Sequence, residues 1–361
     1  MRTVEINMQR SAANPLVAPQ DIVPSYPDWE VLGAFNAGVI RHQGEIIMLI
    51  RVAERPLQHD PDHMLVPVLN LERGAGEHAE VMKTVKVSRS DASYDFSDPR
   101  VIRDQSGNTV YLTSISHLRV ARSKDGQRFT VDERPTIVPE GELESWGIED
   151  PRITAIDGVC YIAYSAISER GVCVGLLTTT DFERFTREGV MLAPTNKDVV
   201  LFPEKINGKY YMLHRPVPEG IGHPEMWIAQ SPDLIHWGSH AFLMGLSETD
   251  ARIGAGCVPI KTEAGWLILY HGADKAHRYY MAAALLDPNE PGKVIARLAD
   301  PIMIPEADYE VNGFFGQVIF ACGAVVEGDA VTMYYGAADD SMGSAQFSLS
   351  KLLGLLRAEM K

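Results

Sequence analysis

The chain has 361 residues, 45% of them apolar, and a formal net charge of -15 at pH 7. The length suits a single repeat or barrel domain, and the apolar share is enough to fill a core. The negative charge argues against nucleic acid and anionic membranes as partners, so any anion site must be a local cluster of cations that overrides the global field.

No segment approaches eighteen consecutive apolar residues, which excludes a spanning helix, and residues 1–10 carry no apolar core of signal-peptide length. Cys160, Cys173, Cys257 and Cys322 are far apart without CxxC spacing. Together these features lead us to expect a cytoplasmic protein with reduced thiols.

Along the chain, turn glycines recur ahead of strand-length apolar runs. Gly44 precedes 46–50, Gly107 precedes 110–112, and Gly158 precedes 159–163; Gly208 precedes 210–213, Gly265 precedes 266–270, and Gly328 precedes 331–335. The spacings of 63, 51, 50, 57 and 63 residues, with little helix between the units, point to radial β repetition. A second signature closes several units. Ser123-Lys124-Asp125-Gly126 leads to Phe129, Thr179-Thr180-Asp181-Phe182 to Phe185, and Ser231-Pro232-Asp233-Leu234 to Trp237. Each reads as a strand, a tight turn closed by Asp or Gly, and an aromatic that packs back.

The expected fold is therefore all-β, a single five-bladed β-propeller over residues 1–361, with six blades as the alternative. Residues 56–110, with Pro56, Pro61, Pro67 and a polar stretch at 72–80, read as an insertion or extra unit in the first blade. Only 350–361 reads as a helix, with Leu352, Leu353, Leu355 and Leu356 on one face.

In a propeller the innermost strands line a funnel, so a site is assembled from positions about fifty residues apart. The most informative run is Trp146-Gly147-Ile148-Glu149-Asp150-Pro151-Arg152. An aspartate before proline is biased to extended backbone, and the adjacent Arg152 offers charge-assisted hydrogen bonds to hold it. The chain supplies its own control, since Asp98-Pro99-Arg100 repeats the tripeptide, so at least one copy is expected to be structural. Other polar groups at strand ends are Asn36, Arg51, Glu54 and Arg55, then Lys197, Lys205 and Arg215, then Arg252 and His271, and finally Asp339. Arg51, Lys197, Arg215 and His271 place basic groups at the mouths of successive strands in an acidic protein. That pattern reads as an oxyanion site, most naturally for phosphate. His214 and His271 share no metal-ligand spacing, and no P-loop or nucleophile elbow is present.

At these residues the chain resembles glycoside hydrolase family 130. The resemblance rests on Phe35-Asn36-Ala37-Gly38, the run around Asp150, Asn196 through Lys205, Leu213-His214-Arg215-Pro216, Arg252-Ile253-Gly254-Ala255-Gly256, Tyr270-His271-Gly272 and Tyr335-Gly336-Ala337-Ala338-Asp339. Within that family it is most similar to the β-mannoside phosphorylases. The resemblance implies inverting phosphorolysis of β-1,2- or β-1,4-linked mannosides to α-mannose 1-phosphate, with Asp150 as acid acting through the mannose 3-hydroxyl. It implies a phosphate cradle of Lys197, Arg215 and His271, with Lys205 as a further candidate. Mannose would be held by Asn36, Arg51, Arg55, Glu149, Arg152 and Asp339. No cofactor or metal is expected beyond inorganic phosphate as co-substrate. The expected partners are a β-mannoside oligosaccharide and phosphate, with a homo-oligomer left open. An inverting β-mannosidase and a non-catalytic carbohydrate-binding propeller are the competing readings.

Overall fold

A computed structural model describes residues 2–71 and 81–360, so the polar stretch 72–80 and the last residue of the expected helix lie outside the described residues. Among the described residues the chain forms five antiparallel sheets of four or five strands, a two-stranded hairpin and a three-stranded sheet.

The innermost strands of the five sheets are Trp29–His42, Gly147–Ile156, Asn196–Leu201, Asp250–Ala255 and Ile319–Glu327. Each turns back into a second strand at one of the turn glycines: Gly44, Gly158, Gly208, Gly265 or Gly328. All five adopt positive φ, which explains the residue type. The Asp signatures sit one step further out, between third and fourth strands. The Asp125 carboxylate accepts from the backbone N–H of Gln127 and Arg128, and Asp181 and Asp233 do the same for their own turns.

Strand alternation explains why these sheets stack. In Glu45–Pro56, Ile46, Met48 and Ile50 join a core shared with the fifth sheet, while Ile47 and Leu49 join one shared with the second. Further apolar cores lie between the second and third, third and fourth, and fourth and fifth sheets. The five cores thus run in a ring. The two ends of the chain meet in the fifth sheet, where Gln9–Arg10 pairs with Ser341–Ser348. The C-terminal helix Leu349–Ala358 is capped by Ser348, and its Leu352, Leu353 and Leu356 enter the core between the fourth and fifth sheets. A single helical turn, Asp308–Val311, is a second helix that the sequence pattern did not indicate.

Residues 57–114 stand between Glu45–Pro56 and Ile115–Ser123, which pair directly in the first sheet. They carry the hairpin His63–Leu69 with Met82–Ser88, and the small sheet of Tyr94–Asp95, Val101–Asp104 and Thr109–Leu112. The Gly107 turn belongs to this small sheet, which is why its spacing mimicked a sixth unit.

Candidate active site

The site is built on a repeated irregularity. Each of the first three inner strands carries one extra residue against its neighbour, between Phe35 and Gly38, between Glu149 and Arg152, and between Lys197 and Val200. A bulge of this kind re-aims side chains out of the strand alternation. The residues at these bulges, Asn36, Asp150 and Asp198, adopt φ of 51°, 50° and 56°. Asn and Asp tolerate this left-handed backbone better than other side-chain-bearing residues. The register also matches across sheets: Arg51 pairs with Phe35 just before one bulge, and Arg215 with Lys197 just before another. Close packing forbids side chains beside two of these groups. A methyl at Gly336 would collide with Asn36 Oδ1, and one at Gly254 would collide with Asp198 Oδ2.

These elements surround a cavity of about 320 Å³. One part is lined by Asn36, Arg51, Asp150 and Asp339, another by Lys197, Arg215 and Arg252, and the rest by Arg100, His277, Tyr279, Phe315, Val318 and Phe320.

Asp150 is buried, and its Oδ1 accepts from Asn36 Nδ2 at 2.9 Å and Arg51 Nη1 at 3.1 Å. Arg51 also donates to Glu149 Oε1 at 2.7 Å and to Ser116 Oγ at 3.0 Å, with its guanidinium 4.6 Å over the Phe35 ring. Burial opposes the charge on Asp150, but Arg51, Lys197 and Arg152 outweigh it and hold its pKa below the usual carboxylate value. Asp339 is shifted the other way. Burial, with Asp150 and Glu149 nearby, pushes it up to about 6 against the pull of Arg51.

The cationic side is differently built. Arg215 lies with Nη2 3.1 Å from Asp198 Oδ2, while its buried Nε and Nη1 have no partner among the described residues. A buried donor without a partner costs about 1–3 kcal/mol, so these groups are poised for an anion. Lys197 is half-buried at the wall, and Arg252 stacks 5.4 Å from Tyr279 and meets His277 Nδ1.

Five of the expected residues do not line this cavity, and one of them, Glu149, instead accepts from Arg51. His271 is fully buried behind the cavity, with Nε2 3.2 Å from Asp198 Oδ2 and its ring 4.3 Å from Phe320. Burial pulls its pKa down to about 4 despite Asp198, and the ring stands behind Asp198 rather than on the cavity wall. Lys205 lies exposed in the turn beyond Asn196–Leu201, with its ammonium 4.8 Å from the Tyr210 ring. Arg55 donates to Glu30 Oε1 at 2.7 Å. Its position four residues beyond Arg51 carries it about 13 Å up an extended strand. Arg152 does not touch the Asp150 carboxylate. The bulge turns that side chain away, and Arg152 donates instead to the main-chain oxygens of Asp150 at 2.6 Å and Gly256 at 2.8 Å.

Arg100, His277, Tyr279, Phe315, Val318 and Phe320 were not singled out from sequence. Only Arg100 carried a signal, the duplicated Asp-Pro-Arg. His214 joins Asn196 and His240, each at 3.1 Å, and among the described residues no group of three His, Cys, Asp or Glu is placed to hold a metal.

Asp150 of the second sheet thus shares one cavity with Lys197 and Arg215 of the third and Arg252 of the fourth. Residues 108–358 match the sequence family of glycoside hydrolase family 130, described as β-1,4-mannooligosaccharide phosphorylase. The chain is 49% identical over 361 residues to the β-1,2-mannobiose phosphorylase of Listeria innocua, covering 99% of this chain and 100% of that one. It is 44% identical over 243 residues to a 1,2-β-oligomannan phosphorylase of a Thermoanaerobacter species, covering 65% and 79% of the two chains. The solved structure of the Listeria innocua enzyme with β-1,2-mannobiose superposes with a TM-score of 0.93 over 98% of this chain and 100% of that chain. The chain therefore belongs to glycoside hydrolase family 130.

Proposed function

We propose that the chain is an inverting β-mannoside phosphorylase acting on β-1,2-linked mannosides. Inorganic phosphate attacks the anomeric carbon as the β-glycosidic bond breaks, giving α-mannose 1-phosphate and a leaving sugar whose oxygen takes the proton of the acid. The carrying observation is that Asp150 and Arg215, which keeps two unpartnered donors among the described residues, line one cavity. The β-1,2 linkage is supported by the relatives named above.

We read the five sheets as the five blades of a propeller and residues 57–114 as an insertion in the first blade. Four free, buried cysteines are in keeping with a reducing, cytoplasmic setting.

The chemistry follows from the division of the cavity. A hydrolase that inverts needs a second carboxylate to activate water. Phosphate is already an anionic nucleophile, so it needs cations to bind and aim it. Lys197 and Arg215 fill that role, with Arg252 adjoining. Asn36, Arg51 and Asp339 hold the reacting mannose against Asp150. Lys197 is one of the charges that hold the Asp150 pKa down. A phosphate dianion at Lys197 offsets that charge, raises the Asp150 pKa and favours the protonated form that acid catalysis requires.

The test is phosphate dependence. Purified protein incubated with β-1,2-mannobiose should yield α-mannose 1-phosphate and mannose in phosphate buffer, and almost no products without phosphate. Equal release of mannose in both conditions would establish a hydrolase instead.

A further inference from the structure

The second Asp-Pro-Arg stands in the residues between the two paired strands of the first sheet, yet Arg100 lines the same cavity as Asp150. Its backbone is fixed close to the returning strand. Thr113 N donates to Arg100 O at 3.0 Å, and Thr113 Oγ donates to Pro99 O at 2.7 Å. The side chain is locked as well. Arg100 Nε and Nη2 each reach a different Asp98 carboxylate oxygen at 3.0 Å, a bidentate pair, and the guanidinium lies 5.5 Å from the Phe315 ring. Phe315 in turn donates its N–H to Ala338 O at 2.9 Å, beside Asp339.

Two properties separate Arg100 from the cations of the phosphate side. Its side chain is 53% exposed, against 6% for Asp150, so it stands at the mouth and not at the reacting centre. Its charge is already met by Asp98, whereas among the described residues Lys197 and Arg252 form no ion pair and Arg215 keeps two unpartnered donors. A neutralised pair has little to offer a dianion. It does present guanidinium N–H donors beside carboxylate acceptors, the combination that fits neighbouring hydroxyls of a sugar.

We propose that Arg100, positioned by Asp98, binds hydroxyls of the leaving-group sugar, so that the segment between the paired strands forms part of the acceptor subsite. This rests on the phosphorylase reading. Arg100 thereby sets how well the departing or accepting saccharide is held, while Asp98 acts only through it.

The full-length protein is assayed in the synthetic direction, with α-mannose 1-phosphate as donor and mannose as acceptor. Arg100→Ala should raise the KM for acceptor mannose about tenfold and leave the KM for α-mannose 1-phosphate within about twofold. Arg100→Lys keeps the charge but loses the planar fork, and should behave like Arg100→Ala. Asp98→Asn should raise the acceptor KM by a smaller factor in the same direction. Thermal melting of each variant confirms folding, and a variant that melts early is replaced in the comparison by Arg100→Lys. A KM rise confined to α-mannose 1-phosphate would move Arg100 to the phosphate side and overturn the proposal. So would full retention of wild-type acceptor KM in Arg100→Ala, or restoration by lysine. If the wild type itself forms no mannoside from α-mannose 1-phosphate, the phosphorylase reading falls and takes this proposal with it. An active wild type beside unaffected Arg100 variants removes this proposal alone.

Discussion

The protein contains the tripeptide Asp-Pro-Arg twice, and the two copies do opposite things. In Asp98-Pro99-Arg100 the arginine closes back on its own aspartate in a bidentate pair, leaving a neutralised unit at the surface. In Asp150-Pro151-Arg152 the aspartate sits on a bulge at φ 50°, and the arginine is spent on main-chain oxygens. The Asp150 carboxylate is met instead by Asn36 and Arg51 from another sheet. Identical residues give a surface clasp in one place and a buried acid in the other. The difference lies in backbone conformation and in which groups from distant strands arrive.

The comparison breaks if the two aspartates prove equivalent. Asp150→Asn should lower the rate of α-mannose 1-phosphate release by about 10²–10⁴-fold. Asp98→Asn should cost kcat less than about tenfold, because it acts only at the cavity mouth. Similar losses in kcat from both would remove the distinction.

It sharpens further through the partners supplied by other sheets. Asp198→Ala leaves the buried Arg215 guanidinium without its counter-charge, which should destabilise the fold by about 3–5 kcal/mol, seen as a lower midpoint in denaturant. An equivalent change at Asp98, whose Arg100 partner is half in water, should cost about 1 kcal/mol or less. Equal losses would show that burial is not what separates the two settings. Arg215→Ala should raise the KM for phosphate on the order of 10²-fold, in line with the loss of a charged hydrogen-bonding partner, and change the mannoside KM only a few-fold. Equal effects on both would argue against Arg215 as a phosphate ligand.

The smallest effect concerns pH. Asp339 has its pKa raised to about 6, so the folded state holds its proton longer than the unfolded chain does. Stability is therefore present at low pH and lost as pH rises through about 6. Asp339→Asn removes this dependence and should raise stability at pH 7.5 by on the order of 1–2 kcal/mol, with the gap closing near pH 4. A variant less stable than wild type at pH 7.5 would show that Asp339 is held by Arg51 more than it is penalised by burial.

The repeat of turn glycines made the sheets legible, because a left-handed turn position favours glycine. Gly107 carries the same signal, because a hairpin in the small three-stranded sheet needs the same residue as one in a larger sheet. Asn36, Arg51, Asp150, Lys197, Arg215 and Asp339 could be brought together on paper, since equivalent positions in a ring of sheets converge. Arg55, Lys205 and His271 could not be separated from them by sequence. Their distance along a strand, or their place behind another side chain, is set by register and burial, which residue type does not encode. The buried His271 is the clearest case, since a histidine at a strand mouth and one buried behind Asp198 look alike in a sequence. Arg100 was set aside because its tripeptide makes a good surface turn. The structure shows that it is one, and that the turn is placed at the cavity mouth.

We propose that an acid from the second sheet and cations from the third act on one substrate. Incubation with α-mannose 1-phosphate and a panel of acceptors (mannose, glucose, N-acetylglucosamine, mannobioses), followed by identification of products, tests it most directly. We predict a β-1,2-linked mannoside from mannose or a mannobiose, with release of inorganic phosphate, and no product from β-mannose 1-phosphate. Failure to form a mannoside with every acceptor would contradict the account, as would product formed equally well from the β-anomer.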